Sequence, residues 1–200
     1  MTGDFLDTIG FSLFGLLMVS LLADTFCAFT WNKTYFTSGL TIFVKCIPVN
    51  RWHTNIPHPS LFETMFHSEW VPSFTFKELD GSSYAFREKI IQFRLIRYTP
   101  VMHGLLTFDS DNGQVIVKGF ANWYALSFSF VWIAMLVSFA ISMWSYASTT
   151  FSILIVLGAI VALVLVMGIL YLIQSSRFSK VASFAAESWT RKYVRDDDRS

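Results

Sequence analysis

The sequence predicts a membrane α-helical protein with a small β-rich insert: three transmembrane helices and a C-terminal amphipathic helix at the membrane interface. Two apolar runs, Asn122 to Trp144 and Thr150 to Ile173, contain no ionisable side chain. At 1.5 Å per helical residue each run is roughly 35 Å long, which exceeds a hydrocarbon core of about 30 Å. Because the connector 145–149 is short, helices two and three are predicted to form an antiparallel hairpin within segment 120–174.

Composition supports a membrane protein. The 200-residue chain is 54% hydrophobic and only 14% charged, whereas soluble domains average about 25% charged residues. Its net charge of +1 lacks the strongly basic character of nucleic-acid-binding domains, so no nucleic-acid partner is expected. Cys27 and Cys46 have no metal or redox spacing and are predicted to be packed, unreactive thiols.

The N-terminal transmembrane helix is assigned to residues 1–31. From Ile9 to Trp31 the side chains are apolar or small, apart from Asp24. An ionisable residue within a membrane segment suggests a proton or cation ligand. The other interpretation is an interfacial carboxylate or a helix-end contact, which the proximity of Asp24 to Trp31 and Lys33 favours.

The distribution of basic residues predicts the orientation. No Lys or Arg precedes Lys33, nine lie between Lys33 and Lys118, and six lie between Arg177 and Arg199. Because cytoplasmic segments are enriched in Lys and Arg, we expect the N-terminus outside and both the central segment and the C-terminus in the cytoplasm. We expect an integral protein of a bacterial cytoplasmic membrane.

The central segment, 32–119, is predicted to be a cytoplasmic β-rich domain. Its clearest element is a hairpin of strands 104–109 and 114–119, joined by a turn that contains Asn112 and Gly113. Asn-Gly favours the positive backbone angles of tight hairpin turns. His103 precedes this hairpin as a strand-edge histidine. A second strand at 41–44, a turn at Asp80-Gly81 and a helical turn at 61–67 are also expected.

The proline-rich segment 49–72 holds most of the candidate metal ligands. They are His53, His58, Glu63, His67 and Glu69. Their spacing matches no known metal motif, and such side chains are common as solvated groups in loops. We therefore predict neither a metal nor another cofactor, and His53, His58 and His67 remain only weak candidates.

A basic set in the same domain is a candidate for binding lipid head groups. It comprises Lys77, Arg87, Lys89, Arg94 and Arg97. Each basic residue near anionic head groups contributes about 1 kcal/mol to membrane attachment. Nearby acidic residues, including Glu78 and Glu88, favour a solvated sheet face of mixed charge instead.

Small residues at four-residue spacing mark faces on which another helix can approach closely. They are Ala134, Ser138 and Ser142 in the second helix and Gly158 and Ala162 in the third. These faces either pack the two helices together or dock a partner's helix. The sequence does not distinguish a protein contact on these faces from a bound lipid, quinone or pigment.

Aromatic residues at the ends of the predicted helices are expected to anchor them at the membrane interfaces. They are Trp31, Trp123, Tyr124, Trp144, Tyr146 and Trp189. The last belongs to the amphipathic tail, 175–200. There, Phe178, Val181, Ala185 and Trp189 share one helical face, which is expected to lie on the membrane surface.

No catalytic motif is found: the sequence has no G-x-S-x-G, and neither cysteine has a local histidine partner. We therefore expect a non-catalytic accessory or scaffold subunit that docks a larger integral membrane complex and contacts membrane lipids. One alternative is a membrane-tethered lipid or ligand sensor that uses the basic set. Another is a metal- or proton-dependent membrane enzyme that uses Asp24 and the three loop histidines.

Overall fold

The computed structural model describes residues 2–50, 56–67, 73–89, 100–143 and 149–197. Within them the chain forms five helices and five strands. The helices are α1 (Thr2–Thr30), α2 (Lys33–Thr37), α3 (Pro59–Met65), α4 (Trp123–Met143) and α5 (Thr149–Asp197). The strands are β1 (Thr41–Pro48), β2 (Phe74–Asp80), β3 (Ser83–Glu88), β4 (Met102–Asp109) and β5 (Gln114–Ala121).

Three helices are long and apolar enough to cross a membrane, as the sequence predicted. The candidate spans are Gly10–Thr30 in α1, Trp123–Ala140 in α4 and a part of Ile153–Thr190 in α5. Large apolar side chains on these helices face outward, and Phe11, for example, is 79% exposed. α1 and α4 run antiparallel, since Ser20 bonds to Ser127 at 2.7 Å and Asp24 bonds to the backbone of Trp123 at 3.2 Å.

The strands form one antiparallel sheet in the order β1-β5-β4-β3-β2. The predicted hairpin is present as β4 and β5, and Gly113 has the positive φ, 60°, that its turn requires. Asp109 stabilises this turn by accepting hydrogen bonds from the backbone and side chain of Asn112 at 3.1 and 2.7 Å. These bonds hold the pKa of Asp109 below its usual range. The predicted turn at Asp80-Gly81 connects β2 to β3, and the predicted helical turn is α3.

The main hydrophobic core lies between one face of this sheet and the C-terminal half of α5. Phe178, Val181, Ala185 and Trp189 are each at most 1% exposed, and the Trp189 ring lies 5.2 Å from that of Phe108. The expected amphipathic face is therefore present, but it packs on the sheet instead of on the membrane surface. Trp189 is a core residue and not an interface anchor. The predicted tail does not form a separate helix. Instead, α5 begins in the third apolar run and continues through the tail.

A glycine allows α5 to pack closely on this face of the sheet. Gly104 in β4 is opposite Phe86 in β3, and a Cβ at Gly104 would overlap the Phe86 ring. The ring therefore lies across the glycine and contacts Phe178 of α5, with centroids 4.7 Å apart. A larger residue at position 104 would displace Phe86 from the centre of the core.

The opposite face of the sheet is covered in part by α2 and the end of α1. Trp31 ends α1 with a positive φ of 55°, and Asn32 then caps α2 by accepting a hydrogen bond from the backbone N–H of Tyr35 at 3.2 Å. Trp31 stacks on Phe36 at 5.3 Å. This tight connection turns the chain so that Tyr35 and Phe36 are buried against β3 and β4.

Candidate functional site

A cluster of buried polar residues lies where α1, α2, the sheet and α4 meet. We call Asp24, Tyr35, His103 and Asn122 the junction cluster; each is at most 7% exposed. They come from α1, α2, β4 and the residue between β5 and α4. Buried polar groups are costly unless they are hydrogen-bonded, so the partners of each group define what the cluster does.

Asp24 joins three helices. Its Oδ1 accepts a 2.6 Å hydrogen bond from the hydroxyl of Tyr35 and a 3.2 Å bond from the backbone N–H of Trp123. Trp123 is the first residue of α4, and a carboxylate is favourable at the positive end of a helix dipole. The structure therefore places Asp24 in a helix-end contact. Of the two interpretations of this residue, this agrees with the helix-end contact.

His103 is held between two acceptors. Its Nδ1 is 2.9 Å from the side-chain oxygen of Asn122, and its Nε2 is 2.9 Å from the backbone carbonyl oxygen of Tyr35. The amide nitrogen of Asn122 donates to the carbonyl of Pro100 at 2.8 Å, which turns the Asn122 oxygen towards the imidazole. A neutral imidazole can donate to only one acceptor, whereas the protonated ring donates to both.

The electrostatics of the junction cluster are dominated by burial. Burial lowers the pKa of the His103 imidazole, while its bonds to Asn122 and Tyr35 and the charge of Asp24 act in the opposite direction. Burial raises the pKa of the Tyr35 hydroxyl, and the neighbouring Asp24 carboxylate raises it further. Tyr35 is therefore a hydrogen-bond donor throughout the physiological range. Its ring stacks on His103 at 4.0 Å, which fixes the imidazole in place.

A second buried cluster attaches α5 to the sheet. Gln174 is completely buried, and its side-chain oxygen accepts hydrogen bonds from the backbone N–H groups of Val101 and Met102 at 2.8 and 3.0 Å. Its amide nitrogen donates to the Glu88 carboxylate at 3.0 Å. Glu88, also buried, forms an ion pair with Arg177. The third long helix is thus bound to β3 and β4 by charge as well as by apolar contact.

Two adjoining cavities lie beside α3. The first has a volume of about 400 Å³ and lies between α3 and α5. Its lining is Met65, Phe66, His67, Ile173, Ser176, Arg177 and Lys180. The second, of about 430 Å³, lies towards β2 and the end of β3. Its lining is Glu63, Thr64, His67, Ser73, Phe74 and Lys89. His67 lies between the two.

The structure does not bring the described members of the predicted basic set together. Lys77 is exposed on β2, and Arg87 is half-buried with its guanidinium 5.3 Å from the Trp31 ring. Burial lowers the pKa of Arg87. Lys89 instead lines the second cavity. Arg94 and Arg97 lie outside the described residues.

Two of the candidate metal ligands, His58 and Glu63, have other partners. His58 caps α3, with its Nδ1 accepting from the backbone N–H of Ser60 at 3.3 Å, and Glu63 accepts from the backbone N–H of Phe76 at 3.0 Å. His67 is exposed at the cavities, while His53 and Glu69 lie outside the described residues. In the described part of the chain, no three His, Cys, Asp or Glu side chains are grouped closely enough to hold a metal ion.

The two predicted small-residue faces differ in exposure. Ala134 and Ser138 of α4 are half-buried, and the Ser138 hydroxyl donates to the Ala134 carbonyl at 2.9 Å. Gly158 and Ala162 of α5 are exposed, and a Cβ at Gly158 would have no neighbour within 4 Å among the described residues. Ser142 lies outside the residues whose side chains are described.

The predicted aromatic anchors occupy varied positions. Trp123 is 41% exposed at the start of α4, and Tyr124 is half-buried. Trp31 is half-buried at the end of α1. Trp144 and Tyr146 lie outside the described residues.

Asp24 is conspicuous in the sequence, but its partners are not. Tyr35, His103 and Asn122 lie in three separate segments, and nothing in their local sequence marks them as neighbours. One signal was present: Asn122 is a polar residue at the border of an apolar run, and His103 is the only histidine outside the proline-rich segment.

Comparisons with known proteins give no assignment. No protein-family model matches the sequence. Searches of curated proteins and of solved structures likewise return no significant match.

Proposed function

We propose that this protein is a non-catalytic accessory or scaffold subunit of a larger integral membrane complex. In this proposal α1, α4 and α5 cross the membrane, and the sheet is held against its cytoplasmic face. The observation that carries the proposal is the continuity of α5: one 49-residue helix supplies both a candidate membrane span and the central packing element of the sheet's core. Such a helix fixes the sheet relative to the membrane.

The positions of the helix ends support three crossings with the sheet on one side. Asp24 near the end of α1 contacts Trp123 at the start of α4, which follows β5 after one residue. Gln174 of α5 bonds to the backbone at the start of β4. All three spans therefore adjoin the same sheet. The N-terminus and the connector between α4 and α5 then belong to the opposite side of the membrane, with α4 and α5 as the proposed antiparallel hairpin.

The charge distribution supports the cytoplasmic assignment of the sheet. All fifteen Lys and Arg residues lie in the segments 33–118 and 177–199, which belong to the sheet side of the membrane in this proposal. Positive charge is enriched on the cytoplasmic side of membrane proteins. The localisation in a bacterial cytoplasmic membrane, with the N-terminus outside, is part of this proposal.

The face of α5 around Gly158 is the proposed contact with the complex. Gly158 and Ala162 are one helical turn apart and exposed, and they lie among exposed large residues such as Leu154 and Leu165. In a bilayer, small residues allow helix backbones to approach closely, and van der Waals packing then favours association. The half-buried Ala134 and Ser138 are more suitable for contacts within this chain.

Substitution at Gly158 tests the proposal with little risk to the fold. Gly158→Leu adds a side chain at a position where a Cβ would meet no other part of the described chain within 4 Å, and leucine is a better helix former than glycine. We expect the tagged variant to fold and insert but to lose its partners when membranes are extracted in mild detergent. Gly158→Ala is the matched control, because its small side chain preserves close approach. Retention of a stoichiometric complex by Gly158→Leu would remove this face as the docking surface.

A further inference from the structure

We propose that the cavity between α3 and α5 binds the phosphate head group of an anionic membrane phospholipid, with Lys180 and Ser176 as its principal ligands. This inference rests on the membrane placement proposed above. It assigns lipid recognition to a different set of residues from the basic set that the sequence suggested.

The position of the cavity along α5 fits the boundary between hydrocarbon and head groups. Leu172 and Ile173 are 65% and 41% exposed, as expected for side chains that face lipid. Polar and basic residues follow at Ser176, Arg177 and Lys180. From residue 173 to residue 180 the helix rises about 10 Å, which is enough to cross one head-group layer of about 5–8 Å.

The polar wall of the cavity suits a phosphate. Ser176 and Lys180 are one turn apart on α5, so a hydroxyl and an ammonium group face the same space. Lys180 is exposed and forms no ion pair within the described residues. Arg177 also lines the cavity, but the buried Glu88 carboxylate offsets its charge. Lys180 therefore supplies the main uncompensated positive charge.

The apolar wall of the cavity suits the glycerol and the first acyl carbons of a lipid. Met65 and Phe66 of the α3 end face Ile173 across the cavity, and together they offer an apolar surface next to the membrane. A phosphate bound at Lys180 would direct its glycerol and first acyl carbons towards this surface. Free inorganic phosphate has no group that would use the apolar wall, so the lining favours a lipid.

The adjoining cavity provides room for the remainder of the head group. It begins at His67 and carries Thr64, Glu63 and Lys89. The Glu63 carboxylate accepts a backbone hydrogen bond and retains acceptor capacity for a hydroxyl. A hydroxylated head group such as that of phosphatidylglycerol matches these donors and acceptors better than a bare anion does.

The test uses the full-length protein in nanodiscs of phosphatidylcholine to which phosphatidylglycerol is added, with retained lipid counted by native mass spectrometry. Because one basic residue near head groups contributes about 1 kcal/mol, Lys180→Ala should bind phosphatidylglycerol about fivefold more weakly. Ser176→Ala should weaken binding further when it is combined with Lys180→Ala. Lys118→Ala removes an exposed lysine on β5 and is the matched control, with binding unchanged.

Each other outcome overturns a defined part of the inference. If Lys180→Ala and Lys118→Ala retain equal amounts of lipid, the cavity is not the site. If inorganic phosphate displaces phosphatidylglycerol at similar concentrations, the site recognises free phosphate and the lipid assignment is wrong. If the wild-type protein is removed from membranes by an alkaline wash, the membrane placement itself is wrong, and the inference falls with it.

Discussion

The hydroxyl of Tyr35 donates a 2.6 Å hydrogen bond to Asp24, which lies eleven residues earlier on the other side of a tight turn. This bond connects α2, which packs on the sheet, to α1, and the same carboxylate oxygen connects α1 to the start of α4. The junction cluster therefore fixes two of the three proposed membrane helices to the sheet. Gln174, Glu88 and Arg177 do the same for the third.

Removing the Tyr35 hydroxyl should measurably weaken the junction. In Tyr35→Phe the Asp24 carboxylate loses its shortest hydrogen bond, and we expect the free energy of unfolding to fall by about 1–3 kcal/mol. Tyr171→Phe is the control, because it removes a 3.2 Å bond from a half-buried hydroxyl to the Ile42 carbonyl and leaves no carboxylate unsatisfied. Reversible unfolding of the intact protein in detergent measures the change in the free energy of unfolding for both variants. Equal losses in the two variants would argue against a special role for the bond to Asp24.

The pair between Glu88 and Arg177 should show strong coupling. Arg177→Met removes the guanidinium that forms an ion pair with the buried Glu88 carboxylate, and breaking a buried pair typically costs about 3–5 kcal/mol. Adding Glu88→Gln removes the remaining charge of the pair and should restore much of the lost stability. A double-mutant cycle on the free energy of unfolding measures the coupling. Simple addition of the two single effects would show that the pair does not act as a unit.

The stability of the protein should depend on His103 at mildly acidic pH. Burial lowers the pKa of His103 in the folded state below its usual 6.5. The unfolded chain therefore takes up this proton first as the pH falls, and the free energy of unfolding should decrease below about pH 6.5. The decrease should end once the folded protein is protonated as well.

The same experiment with His103→Gln should lack this part of the pH dependence. His67→Gln, which removes an exposed imidazole, is the comparison. Asp24, whose charge acts on His103, remains in both variants. If wild type and His103→Gln lose stability in parallel between pH 7 and pH 5, the imidazole is not responsible.

Cys46 offers a direct test of the orientation. It is exposed on β1, so the prediction of a packed thiol is wrong for this residue, whereas Cys27 is half-buried near the end of α1. In a Cys27→Ser background, a membrane-impermeant maleimide should label Cys46 in inside-out vesicles but not in intact cells. Labelling in intact cells would place the sheet outside and reverse the proposed topology.

Local sequence signals predicted the local elements well. The Asn112-Gly113 pair predicted the hairpin turn, in which Gly113 takes the positive φ, and long apolar runs without charge predicted the three long helices. The amphipathic face of residues 178–189 was also predicted, but its partner was not. An apolar helical stripe fits a membrane surface or a sheet equally well, and only the tertiary fold distinguishes the two.

The junction cluster could be predicted only in part. A carboxylate in an apolar run identifies Asp24 as unusual, because such a group needs a partner. Its partner Tyr35 comes from α2, after the tight turn that follows α1. The positions of His103 and Asn122 depend on sheet register, which brings His103 opposite Phe120 and next to the strand end that leads to Asn122. Among the described members of the predicted basic set, Arg87 and Lys89 are two residues apart, yet Arg87 lies by Trp31 and Lys89, just beyond the end of β3, lines the second cavity.

The most direct test of the proposed function is the native mass of the unmodified protein after gentle extraction from its membrane. The chain alone has a mass of 22.9 kDa. We predict a larger particle that contains other integral membrane proteins in fixed stoichiometry. A 22.9 kDa chain that carries only lipid and detergent under conditions that preserve other membrane complexes would contradict the accessory-subunit assignment.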